Sequence, residues 1–431
     1  MTSEDILIRR AEQVNGELQA QDDAWGKRGW TRRRFLAGAG MAGVAAFGTQ
    51  LVTTRAAYAA TPSGTDQTLV VVFLRGAADG LRVLVPASSG AGYDYLKSVR
   101  PALLPAAGDL IQLSSDFGLN KAMKPLYDGL WSTNELTFVP AVSAAGFSRS
   151  HFQAQQFMEK GGSDTASSGW LQRVLPSLGS GSTFRAVTDG SPTPAALVGD
   201  LSSLAIDGID NYKFPMDGDF GASAQTALLS LYRGVAGPLG EDVPATMSSL
   251  KTAAAIRSTA ATGVVYPNGN FGDALKDLAR ILRAEVGMQV ATVDVGGWDT
   301  HTDEVNDLDN NLSGTATALR AFMDDLGPDR RKRVTVVVMT EFGRRVAMNG
   351  DGGTDHGHGS VMWLLGGGLK SSTVGGDWKS LSDSTLDQGD VPGVNSPFDV
   401  LGELVQKRLG VGSLSDVFPG HSYSSLGLAT T

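Results

Sequence analysis

The sequence predicts an α/β fold, a three-layer α/β/α sandwich around a largely parallel sheet. Three observations lead there. Short, continuous apolar runs such as Leu69 to Leu74 read as strands buried on both faces. Segments with helical apolar spacing alternate with those runs. Asp79, Asp299 with His301, and Glu341 each follow the C-terminal end of a predicted strand, where open α/β sheets hold ligands.

The first strand is Leu69-Val70-Val71-Val72-Phe73-Leu74, ending in the turn Arg75-Gly76-Ala77-Ala78-Asp79-Gly80. A second, Leu136 to Val139, leads through a Ser/Gly-rich turn into a helix from His151 to Glu159, with Ser150 placed to cap it. From Leu171 to about Asn268 periodicity is poor, which predicts a less regular insertion. The exception is a helix over Ser223 to Val235, stopped by Gly237-Pro238. Leu275, Leu278, Ile281 and Leu282 are spaced for a helix against a core. Strand Val290 to Val295, helix Leu312 to Leu326, strand Val334 to Met339, a strand around Met362 to Leu365 and helix Val400 to Leu409 complete the pattern.

The chain has 431 residues, 42% of them hydrophobic and 19% charged, enough for one large core. It has no cysteine, so disulfides, Fe–S clusters and thiolate chemistry are excluded, and any metal needs His or oxygen ligands. Thr31-Arg32-Arg33-Arg34-Phe35-Leu36 matches a twin-arginine export signal. A weakly apolar stretch, Ala37 to Val52, and the small-residue pattern Ala57-Tyr58-Ala59 follow it. Residues 1–59 are therefore expected to be a cleaved signal and 60–431 a single domain with an insertion at about 171–268. The signal carries 8 basic and 6 acidic residues, so its loss takes the net charge from −9 to −11. No Lys/Arg-rich run remains, which argues against nucleic acid and anionic lipid as partners.

Four of the five histidines fall in three motifs: Ser148-Arg149-Ser150-His151, Gly296-Gly297-Trp298-Asp299-Thr300-His301, and Gly353-Thr354-Asp355-His356-Gly357-His358. Imidazoles beside carboxylates are the usual way to hold a divalent ion. Asp299 and His301, two apart in extended chain, point to one side. Asp355, His356 and His358 sit in a glycine-rich loop that a merely polar linker does not explain. Asp79 reads either as a ligand or as a turn residue before Gly80. Glu341 reads as a strand-end ligand, or with Arg344 as a surface ion pair; in the first case Arg344 grips an anionic substrate. Ser150, at a helix N-terminus, reads as a nucleophile assisted by His151 or as a simple N-cap, and Ser148 is an alternative hydroxyl.

These motifs, together with Phe73-Leu74-Arg75-Gly76-Ala77-Ala78-Asp79-Gly80 and Glu341-Phe342-Gly343-Arg344, resemble a twin-arginine-exported bacterial family of unknown function. That family is grouped with the alkaline phosphatase and sulfatase superfamily, and the resemblance covers nearly the whole mature chain. It implies an alkaline-phosphatase-like fold with one or two divalent ions. Asp79, Asp299, His301, Glu341 and His356 or His358 would be the ligands, and Ser150 the nucleophile. Phe342 stands where the superfamily carries a metal-binding His, leaving one position short of a ligand.

The expectation is an exported hydrolase of phosphate or sulfate esters, periplasmic, cell-wall or extracellular, using zinc, manganese or calcium. Its partners would be the ester and, during export, the twin-arginine translocase. The alternative is a catalytically silent envelope or polysaccharide-binding protein that keeps the fold. No GxGxxG follows a strand, so nothing supports an oxidoreductase.

Overall fold

The computed structural model describes residues 66–87, 90–146, 148–190, 192–200, 203–216 and 218–431; the expected export signal lies outside them. They fall into two compact units, residues 213–251 and the remainder. Among the described residues, no helix is long and apolar enough to cross a membrane.

Eight strands form the main sheet: β1 (Thr68–Leu74), β2 (Leu136–Val142), β3 (Ala186–Asp189), β4 (Leu204–Ile206), β5 (Val290–Val295), β6 (Val334–Thr340), β7 (Ser360–Gly366) and β8 (Thr373–Val374). Their order is β8-β2-β7-β6-β1-β5-β3-β4. Central β1 pairs in parallel with both neighbours, Leu69 lying between Val290 and Thr335. Only β7 runs against the rest, antiparallel to β2 and β6. Every residue of β1, β6 and β7 is buried. Two covered faces explain the unbroken apolar runs.

Alternate residues of β1 (Leu69, Val71 and Phe73) pack with Val400, Leu401, Leu404 and Val405 of the helix Pro397–Leu409. Helices Asn270–Arg283 and Glu304–Arg331 pack on each other and against β5 and β6. The three-layer architecture and largely parallel sheet read from the sequence are therefore present. A small antiparallel sheet is built from Leu84–Pro86, Phe117–Asn120 and Leu110–Gln112.

Four differences have local causes. Strands β3 and β4 lie within the stretch read as irregular; at four and three residues they are too short to show periodicity. Helix Gly218–Tyr232 begins earlier than expected, and Pro238 opens a second helix, Pro238–Arg257, rather than only ending the first. Proline is well tolerated at a first helical position. The helix expected over Leu312 to Leu326 begins at Glu304 and extends to Arg331, broken at Gly327, whose φ is 70°. The antiparallel sense of β7 has no signature in composition at all.

That sense matters for the site. Loops leaving β1, β2, β5 and β6 emerge at one sheet edge, and the loop entering antiparallel β7 reaches the same edge. Gly76 permits the closest approach there: its φ is 125°, and a Cβ would collide with the backbone of Trp298 and Asp299.

Beside this edge lies a buried acid pair. Asp79 Oδ1 accepts from Leu81 N at 3.0 Å, capping the short helix that follows, and Asp79 Oδ2 accepts from Arg100 Nη1 at 2.5 Å. Burial works to raise the Asp79 pKa, but Arg100 and a hydrogen bond from Glu304 hold it below the usual carboxylate value. Burial and the Asp79 charge push Glu304 up to about 8. The pair shares one proton, carried by Glu304, whose Oε2 also accepts from Thr354 Oγ1 at 2.6 Å. Unfolded, Glu304 loses its proton near the ordinary glutamate value of 4.5. Folding thus takes up a proton between that pH and about 8, and stability falls across this window by up to about 1.4 kcal/mol per unit. Glu304→Gln keeps a donor and an acceptor but cannot titrate. Its melting temperature relative to wild type is expected to climb from pH 5 to pH 8 and then level off. A difference that stays flat across that range in calorimetry contradicts the shared proton.

Candidate metal centre

His151 is the first residue of the helix His151–Glu159, delivered to the sheet edge after β2. Asp299 and His301 follow β5, and His356 lies in the loop before β7. Their ligand atoms converge. His356 Nε2 is 3.0 Å from His151 Nε2 and 3.0 Å from His301 Nε2. Asp299 Oδ1 lies 3.1 Å from His301 Nε2 and 3.4 Å from His356 Nε2, and its Oδ2 lies 3.5 Å from His151 Nε2. One ligand atom from each of His151, Asp299 and His356 falls within 4.8 Å of the other two.

The far sides of two imidazoles are hydrogen-bonded and that of the third lies near a carboxylate. His151 Nδ1 meets Glu341 Oε1 at 2.8 Å, His356 Nδ1 meets the Arg149 carbonyl at 2.8 Å, and His301 Nδ1 lies 3.4 Å from Asp355 Oδ1. A carbonyl or carboxylate can only accept, so Nδ1 of His151 and of His356 carries a proton, and in the neutral ring the Nε2 lone pair turns inward. Lone pairs 3.0 Å apart repel unless a proton or cation lies between them. Histidines that ligate a metal show this arrangement, with the outer nitrogen fixed by an acceptor.

Glu341 belongs to that outer layer. Its side chain is fully buried, and Oε1 accepts from Gly76 N at 3.0 Å and Gln155 Nε2 at 2.9 Å besides His151. Burial would raise its pKa, but hydrogen bonds from His151, Gln155 and Thr340 outweigh that and keep it ionised. The same hydrogen bond is the largest cause of the raised His151 pKa. Burial also opposes ionisation of Asp299, and the bond from Arg344 overcomes it. Burial lowers the pKa of His356, which favours the neutral ring a metal needs.

The expected site residues therefore separate. His151, Asp299, His301 and His356 meet at one point; Glu341 orients the His151 ring from behind, and Asp355 lies 3.4 Å from the outer nitrogen of His301. Asp79 takes the turn role, held by Arg100 and its own helix cap. His358 is not in the cluster: its ring lies beside Gly393, with Nδ1 3.7 Å from Asp387. Arg344 is neither a substrate grip nor a surface ion pair. It is wholly buried, and its guanidinium donates to Ala77 O at 2.8 Å, Thr354 O at 2.9 Å, Gly76 O at 2.8 Å, Trp298 O at 3.3 Å and Asp299 Oδ1. Ser150 precedes the helix with an exposed side chain that makes no capping hydrogen bond. Phe342 is a packing ring, its centroid 5.1 Å from those of both His151 and His356.

Sequence reasoning missed Gln155 and the Arg149 carbonyl. Gln155 was within reach, since His151 and Gln155 at i and i+4 share a helix face. The carbonyl carries no side-chain signal.

The family model described as Protein of unknown function (DUF1501) matches residues 141–392, and the chain belongs to that family. No curated protein matches. Among solved structures, the lipoteichoic acid synthase LtaP from Listeria monocytogenes is 10% identical, covering 85% of this chain and 77% of that one, with a TM-score of 0.36. The C-terminal periplasmic domain of EcEptC from Escherichia coli, in complex with Zn, is 10% identical over 71% and 75%, with a TM-score of 0.32. Alkaline phosphatase from the Antarctic bacterium TAB5 is 11% identical over 69% and 91%, with a TM-score of 0.26.

Because Glu341 fixes the His151 tautomer, Glu341→Gln is expected to weaken zinc affinity about 10–100-fold without removing a ligand. Competition with a zinc chelator reads this directly. Unchanged affinity in a variant with native circular dichroism would remove Glu341 from the centre.

Proposed function

We propose that this DUF1501 protein is a divalent-metal-dependent hydrolase of phosphate or sulfate esters, exported by the twin-arginine route to act outside the cytoplasmic membrane. The carrying observation is the convergence of three Nε2 atoms on Asp299 while acceptors hold the outer nitrogens of His151 and His356. The export signal rests on the sequence pattern alone.

The residues fit a metal. Two or three imidazoles and one carboxylate suit a borderline first-row ion such as zinc or manganese. They suit calcium poorly, since it prefers oxygen ligands throughout. Such an ion supplies Lewis-acid polarisation of an ester oxygen.

The chain's own groups do the rest. Ser150 stands next to His151 at the start of a nine-residue helix, with its hydroxyl free of capping duty. The unpaired N–H groups and dipole of the first turn favour the negative charge of a phosphate or sulfate beside it. Arg344 keeps Asp299 ionised and aimed, and Phe342 backs two of the rings. Ser150 Oγ is the hydroxyl we assign to attack, with Ser148 the alternative; Ser148 Oγ is engaged with Gln153 Oε1 at 2.7 Å.

Wild-type protein should contain stoichiometric metal and hydrolyse p-nitrophenyl phosphate or sulfate. Ser150→Ala should keep the metal and lose at least 100-fold in kcat, whereas His151→Ala and His356→Ala should lose the metal itself. Metal-free wild type from replete cells removes the hydrolase reading and leaves the silent binding protein. Full turnover in Ser150→Ala removes only the nucleophile.

A further inference from the structure

We infer that the centre holds a single divalent ion and that it therefore takes singly charged esters, sulfate monoesters or phosphodiesters, in preference to doubly charged phosphate monoesters. The inference rests on the hydrolase reading above.

Asp299 turns its oxygens to the histidine Nε2 atoms, whereas the neighbouring carboxylates are committed within the fold. Asp79 accepts from Leu81 N with one oxygen and from Arg100 with the other. Glu304 accepts from Thr354 Oγ1. Glu341 Oε1 receives three donors, His151 Nδ1, Gly76 N and Gln155 Nε2, and its Oε2 lies 3.0 Å from Thr340 Oγ1. Among the described residues, His151, Asp299 and His356 are the one group of three such side chains whose ligand atoms can share an ion, and His301 adjoins it. Asp355, with its side chain 66% exposed, is a single carboxylate and does not make a second site.

One ion fixes the charge that a substrate meets. Asp299 and Glu341 are negative and Arg344 is positive, and hydrogen bonds hold all three in place. With the imidazoles neutral, they leave one net negative charge, which a divalent ion converts to one net positive charge. Asp355 faces solvent, where its charge is screened. Arg344 is wholly buried and spent on four carbonyls besides Asp299, so it has no donor to turn towards a second anionic oxygen.

The arginines of the surrounding loops supply no surplus. Arg75, Arg100, Arg149 and Arg345 are matched by four carboxylates, those of Glu159, Asp294, Asp79 and Asp390. A singly charged tetrahedral ester therefore neutralises the centre. A doubly charged one leaves an uncompensated negative charge beside partly buried groups, which is costly where solvent cannot screen it.

The first readout is zinc per chain, by elemental analysis of protein saturated with zinc and desalted. One ion is expected, and two overturns the inference while sparing the hydrolase. The second is calorimetric titration of the zinc-loaded protein at pH 8 with doubly charged phenylphosphonate and with singly charged methyl(phenyl)phosphinate and benzenesulfonate. Their carbon–phosphorus and carbon–sulfur bonds allow no turnover. At least one of the singly charged pair is expected to bind at least about three-fold more tightly than phenylphosphonate. The phosphinate stands for a phosphodiester and the sulfonate for a sulfate ester, so the tighter of the two names the source. Glu341→Gln, at saturating zinc, removes one negative charge yet keeps an acceptor for His151 Nδ1. It should shift the affinity ratio towards phenylphosphonate by at least about three-fold. Tighter binding of phenylphosphonate to wild type, or a ratio that Glu341→Gln leaves unchanged, overturns the charge match and spares the hydrolase. Protein that holds no zinc, or zinc-loaded protein that binds none of the three anions, overturns both.

Discussion

The guanidinium of Arg344 ties together three stretches of chain. Its N–H groups reach the carbonyls of Gly76 and Ala77 after β1, the Trp298 carbonyl and Asp299 carboxylate after β5, and the Thr354 carbonyl before β7. Only a rigid planar fork can satisfy so many acceptors at once, so lysine is no substitute. Each buried carbonyl left without a donor costs about 1–3 kcal/mol. The loops bearing Asp299 and His356 are thus held in register by a wholly buried residue that meets the site only through the Asp299 carboxylate.

A second network joins the first at Thr354. Its carbonyl receives Arg344, and its hydroxyl reaches Glu304, which shares a proton with Asp79 above Arg100. Arg100 returns the connection to the loop after β6 through the Arg345 and Val346 carbonyls. More side chains support the rings than could touch an ion. Such an outer shell makes the geometry at the centre a property of the fold, so its cost is met when the chain folds.

Much of this was legible in the sequence because it rests on local pattern. Unbroken apolar runs gave β1, β5 and β6, and the i, i+2 spacing of Asp299 and His301 did bring both to one point. What was not legible depends on tertiary direction. A single residue, Gly357, separates His356 from His358, yet the rings part despite an identical spacing. Arg344 reads on paper as an exposed anion grip, and its burial follows only from the closeness of loops that start more than forty residues apart. Glu341 looks like a ligand because it ends a strand; the interposed His151 ring puts it one layer back. Phe342, read as a gap in the ligand set, fills that gap with packing.

The place of β1 in the sheet has a consequence for how the chain is made. It is the first strand among the described residues and sits between β5 and β6, so Leu69 waits for Val290 and then Thr335 to emerge before both edges are covered. Pairings this distant fold slowly, and an uncovered apolar strand such as Thr68–Leu74 is a template for pairing with other chains. During synthesis this apolar strand therefore stays unpaired until its partners, more than 200 residues later, have emerged. The strand order, rather than any one residue, sets how long that segment stays unpaired.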